Sequence, residues 1–401
     1  MTAHTRRLLV SSGIISAFDF APGFPALLPG GLGLIERMHA QYEAEAGRVA
    51  ATEVVSATPL LNSREYRDAY DGTHSYSNVY EVDGAEPSVL RPDGLRELVL
   101  HRRVDKVLLC RDPLFRAETT DARPLIREKH VWAVCQMVHQ VVDGSMADVW
   151  TGHRDAFLRF MDAMLIPTLV VEAPPLRRHA QRRILTFTRT PDGRTWLTCT
   201  LYHLDDDFVA RLGARGSVIE LGYTAKLIAM GVALHEDRHG VCLPSRLAPA
   251  QALVPRRAPE AVHEVLRGAG LRVHEGKADW TATVRTARRT GAPLVVSAES
   301  ADRVRLYTRG TDATRSVPLN GLAAAAHDEL RRHDRALWER AVAFQAPLLD
   351  PGGEGTGVRP AESGDVPGLF RLGRPVDANT EQGRAAVRAN TVLMSDKQRI
   401  Y

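Results

Sequence analysis

The chain has 401 residues, 44% hydrophobic and 25% charged, with a formal net charge of +4. That length exceeds one ordinary core and points to two domains plus an extension. The composition excludes a disordered or fibrous chain, and the mild positive charge permits an RNA-binding face without demanding one. Arg6 and Arg7 precede an apolar stretch that Asp19 and several Gly and Pro residues interrupt. No run reaches the ~18 apolar residues of a membrane span, so a reducing cytoplasm is the expected compartment. Cys110, Cys135, Cys199 and Cys242 lie far apart inside apolar stretches and form no CxxC pair. They read as buried free thiols rather than a zinc ribbon.

Residues 28–49 open on a Gly-rich turn, after which Leu34, Met38 and Tyr42 recur at helical spacing. A strand, VVSATP, follows and ends at Pro59. VDKVLLC, REKHVWAVCQMVHQVV and IPTLVVE read as strands, with DAFLRFMDAML as a helix before the last. LTFTRTPDGRTWLTCTLYHL reads as a β-hairpin turning at Pro191 and Asp192, and GVCLP as a short strand stopped by Pro244. Strands separated by loops and helices suggest an antiparallel-rich α+β domain. From 250 the pattern becomes strand, helix, strand, helix, strand: QALVP, EAVHEVLRGAG, LRVHE, TVRTARRTGA, PLVVSA. Residues 349–368 are rich in Pro and Gly and read as a linker or a poorly ordered loop.

The hairpin at 185–204 and the Leu243-Pro244-Ser245-Arg246-Leu247-Ala248-Pro249 segment resemble, in order and spacing, the prolyl-tRNA synthetases of archaeal and eukaryotic type. The resemblance covers roughly residues 15–345. It implies a class II catalytic domain built on an antiparallel sheet (1–247), an anticodon-binding-like α/β domain (248–347), and a linker and extension without zinc ligands (348–401). It implies a homodimer, because the helix at 28–49 and the following strand resemble the motif that builds the class II interface. The extension keeps a terminal tyrosine, Tyr401, and the resemblance folds it back toward the catalytic domain.

Adenylation needs cations against the triphosphate and in-line positioning of the attacking carboxylate. Phe115-Arg116-Ala117-Glu118 is similar to the class II Phe-Arg-x-Glu motif. By that resemblance Arg116 clamps the α-phosphate, Glu118 sits near the adenine amino group, and Arg127 meets the terminal phosphates. Arginine suits the task because its planar fork binds an anionic oxygen bidentately. Lys226 stands where the family has a phosphate-binding arginine, keeping the charge and losing the fork. Leu197 replaces a glutamine for the nucleotide. Thr200 and His203 match the family's strand end and would border the acyl site, while Leu201 and Tyr202 replace a serine and a histidine.

The acyl pocket departs further. Arg91-Pro92-Asp93-Gly94-Leu95 lacks the family's Thr and Glu, and Trp132-Ala133-Val134-Cys135-Gln136 lacks a second Glu. An imino-acid pocket needs acceptors for its ammonium, since an unpaired buried cation is costly. The substrate is therefore expected not to be proline. Asp93, or the acidic run Asp205-Asp206-Asp207, could receive a different amine, and Arg91 or His130 a carboxylate. The acidic run also reads as a solvated turn or a Mg²⁺ site. Asp93, Trp132, Gln136, Tyr202 and His203 are thus the candidate substrate residues; Arg116, Glu118, Arg127, Thr200 and Lys226 are the candidates for ATP and Mg²⁺.

Two readings follow. One is an ATP-dependent ligase that activates an amino or carboxylic acid as its adenylate and passes it to tRNA, a carrier protein or a small amine. The other is a non-catalytic paralogue that binds tRNA or a protein partner. His235-Glu236-Asp237-Arg238-His239 matches the HExxH string of zinc proteases, but the Gly240 and Pro244 that follow favour a turn over the required helix. Gly30, Gly31 and Gly33 form an incomplete dinucleotide loop.

Overall fold

The computed structural model describes residues 3–21, 23–71, 73, 79–117, 122–126, 128, 130–131, 134–142, 145–191 and 195–345, and the backbone of strands at 358–360, 370–378 and 393–395. Its centre is a ten-stranded sheet. From one edge the strands are Val358–Pro360, Leu393–Ser395, Phe370–Ala378, Leu169–Ala173, Ala180–Arg189, Thr195–Leu204, Ser217–Thr224, Val134–Val141, Val107–Cys110 and Thr52–Val55. Every neighbouring pair is antiparallel except the last, where Thr52–Val55 runs parallel to Val107–Cys110. The antiparallel-rich α+β expectation holds.

Side chains alternate across a strand, so each central strand feeds two different layers. Cys135, Met137, Cys199, Leu201, Leu221 and Tyr223 point to one face and join the main core. The helices Pro29–Ala46 and Met146–Ala163 close that face. Tyr42, fully buried, makes edge-on contacts with Phe160 at 5.4 Å and Tyr223 at 5.1 Å between ring centroids. Each such pair adds roughly 0.5–1.5 kcal/mol beyond the area it buries. The opposite face packs Leu108, Cys110, Val138 and Val218 against the helices Ser63–Tyr70, Leu95–Leu100 and Asp206–Arg211.

A second sheet runs Val273–Glu275, Ala252–Val254, Leu294–Ala298, Arg303–Thr308, Ala313–Pro318, its first three strands parallel and its last two antiparallel to their neighbours. The helices Glu260–Gly268, Trp280–Thr290 and Leu322–Gln345 complete it around a core of its own. At its junction with the first sheet, Arg309 is fully enclosed and grips Asp237 through both guanidinium nitrogens. Gly291 ends its helix at φ 80°, where a Cβ would stand 2.7 Å from Leu243. Only glycine permits both the turn and that approach.

Three local expectations change. GVCLP is not a strand: Leu243 donates its amide to the Gly291 carbonyl and its own carbonyl accepts from His333, so loop and helix partners replace a sheet ladder. The helix read from DAFLRFMDAML begins earlier, at Met146, because Ser145 caps the Asp148 amide. Val358–Pro360, within the segment read as a linker, is a strand, and in the extension that follows Phe370–Ala378 pairs with Leu169–Ala173 and extends the central sheet. Tyr401 lies outside the described residues.

Candidate active site

A cleft of about 410 Å³ lies on the sheet face opposite the main core. Its floor follows from strand register. Gly222 stands between Gln136 and Thr200, and Glu220 is opposite Tyr202. These positions share one face because they are two residues apart along each strand. Gly222 carries no side chain, which leaves the middle of the floor open. Asp93, Leu114, Arg116, Ile126, Glu128, Leu197 and Lys226 complete the wall.

The cations enter from two elements. Leu114–Phe115 pairs with His130–Val131 as the start of a hairpin, and the Phe115 and His130 rings stack at 4.5 Å. Arg116 follows Phe115 directly and lines the cleft. Lys226 is the first residue of the helix Lys226–His235; its Nζ donates to the Leu197 carbonyl at 3.2 Å and lies 5.9 Å from the centre of the Trp196 ring.

The acids form a connected group. Asp93 is 4% exposed; its Oδ1 accepts from the Tyr70 hydroxyl at 2.6 Å and the Leu95 amide at 2.9 Å. The Gln136 carboxamide bridges, accepting from the Gly94 amide at 2.6 Å and donating to Glu220 at 2.7 Å. Burial lifts the Glu220 carboxyl to about 7, aided by the charge of Asp93 and opposed by Gln136 and Arg116. Burial also raises Asp93, and takes Glu128 to about 7. Carboxyls held this high are poised to gain or lose a proton when a charged ligand arrives.

No family model matches the chain. Prolyl-tRNA ligases are similar to it in sequence: that of Aeropyrum pernix is 25% identical over 266 residues, covering 58% of this chain and 54% of the relative. That of Ignicoccus hospitalis is 27% identical over 189 residues, covering 43% and 39%. The chain thus spans about half the length of the curated relatives it matches. Among solved structures, the Giardia lamblia prolyl-tRNA synthetase in complex with prolyl-adenylate superposes with a TM-score of 0.81 at 14% identity, covering 99% of this chain and 97% of that one. The Cryptosporidium parvum prolyl-tRNA synthetase complexed with halofuginone and AMPPNP gives 0.73 at 17% identity, covering 86% and 78%.

In sequence the chain is similar, over part of its length, to prolyl-tRNA ligases, and in fold to prolyl-tRNA synthetases. Its central sheet has the class II fold.

Of the candidate residues, Asp93, Arg116, Gln136, Thr200, Tyr202 and Lys226 meet in the cleft. Glu118, Arg127 and Trp132 lie outside the described residues. His203 does not line the cleft. It is an odd number of residues from Thr200 and so points through the sheet, where its ring nears Trp150 at 6.5 Å and Gln181 at 3.2 Å. Arg91 is 1% exposed and donates to the Pro113 carbonyl at 2.8 Å, behind the wall rather than on it. Asp205 caps the helix Asp206–Arg211 through the Asp207 amide, which gives the acidic run a structural role. The HExxH string is broken by a helix end: His235 closes the helix inside the core, while His239 turns to Asp312 at 3.0 Å.

Glu220 and Glu128 escaped the sequence reading. Glu128 follows Arg127 in a segment read only for its cations. Glu220 had a signal: a lone acid between Ile219 and Leu221 in an otherwise apolar strand, which is costly unless the acid faces a polar cavity.

Proposed function

We propose that the chain is an ATP-dependent ligase that activates an amino or carboxylic acid other than proline as its adenylate, then passes it to an acceptor such as tRNA, a carrier protein or a small amine. The observation that carries this reading is the meeting of Arg116 and Lys226 in one cleft with Asp93, Gln136 and Glu220. The cations suit phosphate oxygens and the acids suit a substrate nitrogen. In the reaction a carboxylate oxygen of the acid attacks the α-phosphorus of ATP, and pyrophosphate leaves. Arg116 binds the α-phosphate and takes up charge as it grows there; Lys226 holds the phosphates as a point charge. Thr200 and Gly222 border the reacting carboxylate. Magnesium, carried by the triphosphate, supplies further charge neutralisation. Among the described residues no group of three or more metal-ligating side chains occurs.

The exclusion of proline rests on Leu95 and Val134, apolar where the family has acids, and on Glu220, which brings an acid from a different strand. The second sheet is proposed to serve as the acceptor-binding module, and the chain to act as a homodimer. No helix among the described residues is long and apolar enough to cross a membrane.

Substrate-dependent ATP–pyrophosphate exchange across amino acids, imino acids and small carboxylic acids tests the reading. Exchange with one non-proline acid is expected. Exchange with proline removes the pocket argument, and silence together with no ATP binding moves the chain to the non-catalytic reading.

A further inference from the structure

Charge balance inside the cleft narrows the substrate. Among the described residues, three carboxyls, Asp93, Glu128 and Glu220, share the lining with two cationic side chains, Arg116 and Lys226. The charge of Arg116 acts on both Asp93 and Glu220; under the ligase reading that charge is shared with ATP, so a further counter-charge would favour the acids. Asp93 and Glu220 form the pair closest in chemistry: Gln136 clips Glu220, and its other end holds the Gly94 amide beside Asp93. Each of the two keeps an oxygen without a hydrogen bond from any described residue. Both bonds to Asp93 fall on Oδ1, and Glu220 Oε2 has only the His179 ring, 4.0 Å away. Glu220 Oε2 is buried, and a buried carboxylate oxygen left unpaired is costly. A neutral side chain entering the cleft would seal both acids against hydrocarbon. A lone α-ammonium would answer one of them.

We infer that the acid activated here is a diamino acid, with one nitrogen on its α-carbon and a second on a short side chain, the two received by Asp93 and Glu220 on either side of Gln136. The inference rests on the ligase reading and deepens it. A short chain is required because the cleft, about 410 Å³, must also admit the reacting end of ATP. Leu197, Val134 and Leu114 supply apolar wall for the intervening methylenes.

The test pairs calorimetric binding with pyrophosphate exchange on the full chain, using 2,4-diaminobutyrate, ornithine and lysine against their neutral partners 2-aminobutyrate, norvaline and norleucine. A diamino acid should be preferred by tenfold or more, a ratio that Glu220→Gln lowers toward one. Asp93→Asn gives a second variant should the first fail to fold, and the wild-type ratio needs neither. Preference for a neutral acid overturns the inference and leaves the ligase reading standing. Binding of a diamino acid without exchange upholds the two-amine site at Asp93 and Glu220 and overturns its activation, and with it the ligase reading. Absence of binding by all three diamino acids overturns the inference.

Discussion

The two ends of the cleft have diverged to different degrees. At the end proposed for phosphate, Arg116 matches the pattern the sequence resembles, and Lys226 stands as a cation where that pattern has arginine. At the end proposed for the acyl group, Leu95 and Val134 are apolar where that pattern has acids, while Glu220 adds an acid from the neighbouring strand. The two ends answer to different requirements. Every adenylation must neutralise the same phosphates, so the charge there has few alternatives. The acyl end must match one particular acid, and an acceptor can be moved between adjacent strands if register keeps it on the same sheet face. Gln136 and Glu220 show how: they lie on neighbouring strands, and their side chains meet across the floor at 2.7 Å.

Three substitutions or conditions probe this division, in descending order of effect. Arg116→Ala should lower pyrophosphate exchange by about 100- to 1000-fold, the usual loss when a transition-state charge loses its donor. Its circular dichroism should remain that of the parent; unchanged exchange would remove Arg116 from the phosphate end. Tyr70→Phe should act on the acyl end alone. It deprives the buried Asp93 of its 2.6 Å hydroxyl donor, so KM for the acid should rise about tenfold with kcat little altered. An equal fall in kcat would show that the two ends are not separable.

The smallest effect is on stability. Glu97, Glu128 and Glu220 are all held near 7, above the ordinary 4.5, first by burial. Between these values the folded chain binds more protons than the unfolded one. Stability should therefore fall as pH rises from about 4.5 to about 7 and gain no further loss from these groups above that. Denaturant midpoints across that range measure the slope, and Glu220→Gln should make it shallower. A slope unchanged by that substitution would place the Glu220 proton elsewhere.

Much of this architecture was legible in the residues. Alternation gave the hairpin of Ala180–Arg189 with Thr195–Leu204, and turn chemistry with apolar periodicity gave the second sheet. The Phe-Arg pair located Arg116 because a short motif carries its own geometry. What failed depended on sheet facing or on distant partners. Thr200 and His203 were read as neighbours in a site, yet strand period sends them to opposite faces. The segment at Leu243 looks like a strand by composition, and becomes a loop because Gly291 and His333 take its backbone groups. Glu220 needed the strand Ser217–Thr224 to be laid beside Val134–Val141 before its direction meant anything.

The pairing of Phe370–Ala378 with Leu169–Ala173 bears on how the chain is made. Glu172 finds its neighbour in Arg374, near the far end of the polypeptide. A ribosome therefore releases the central sheet with the outer edge of Leu169–Ala173 unpaired, and completes it only after the second sheet has been synthesised. An uncovered edge is a template for another strand, and contacts this remote in sequence form slowly. Chaperone demand during synthesis should concentrate in that interval, and chains cut before residue 370 should self-associate through the edge left bare.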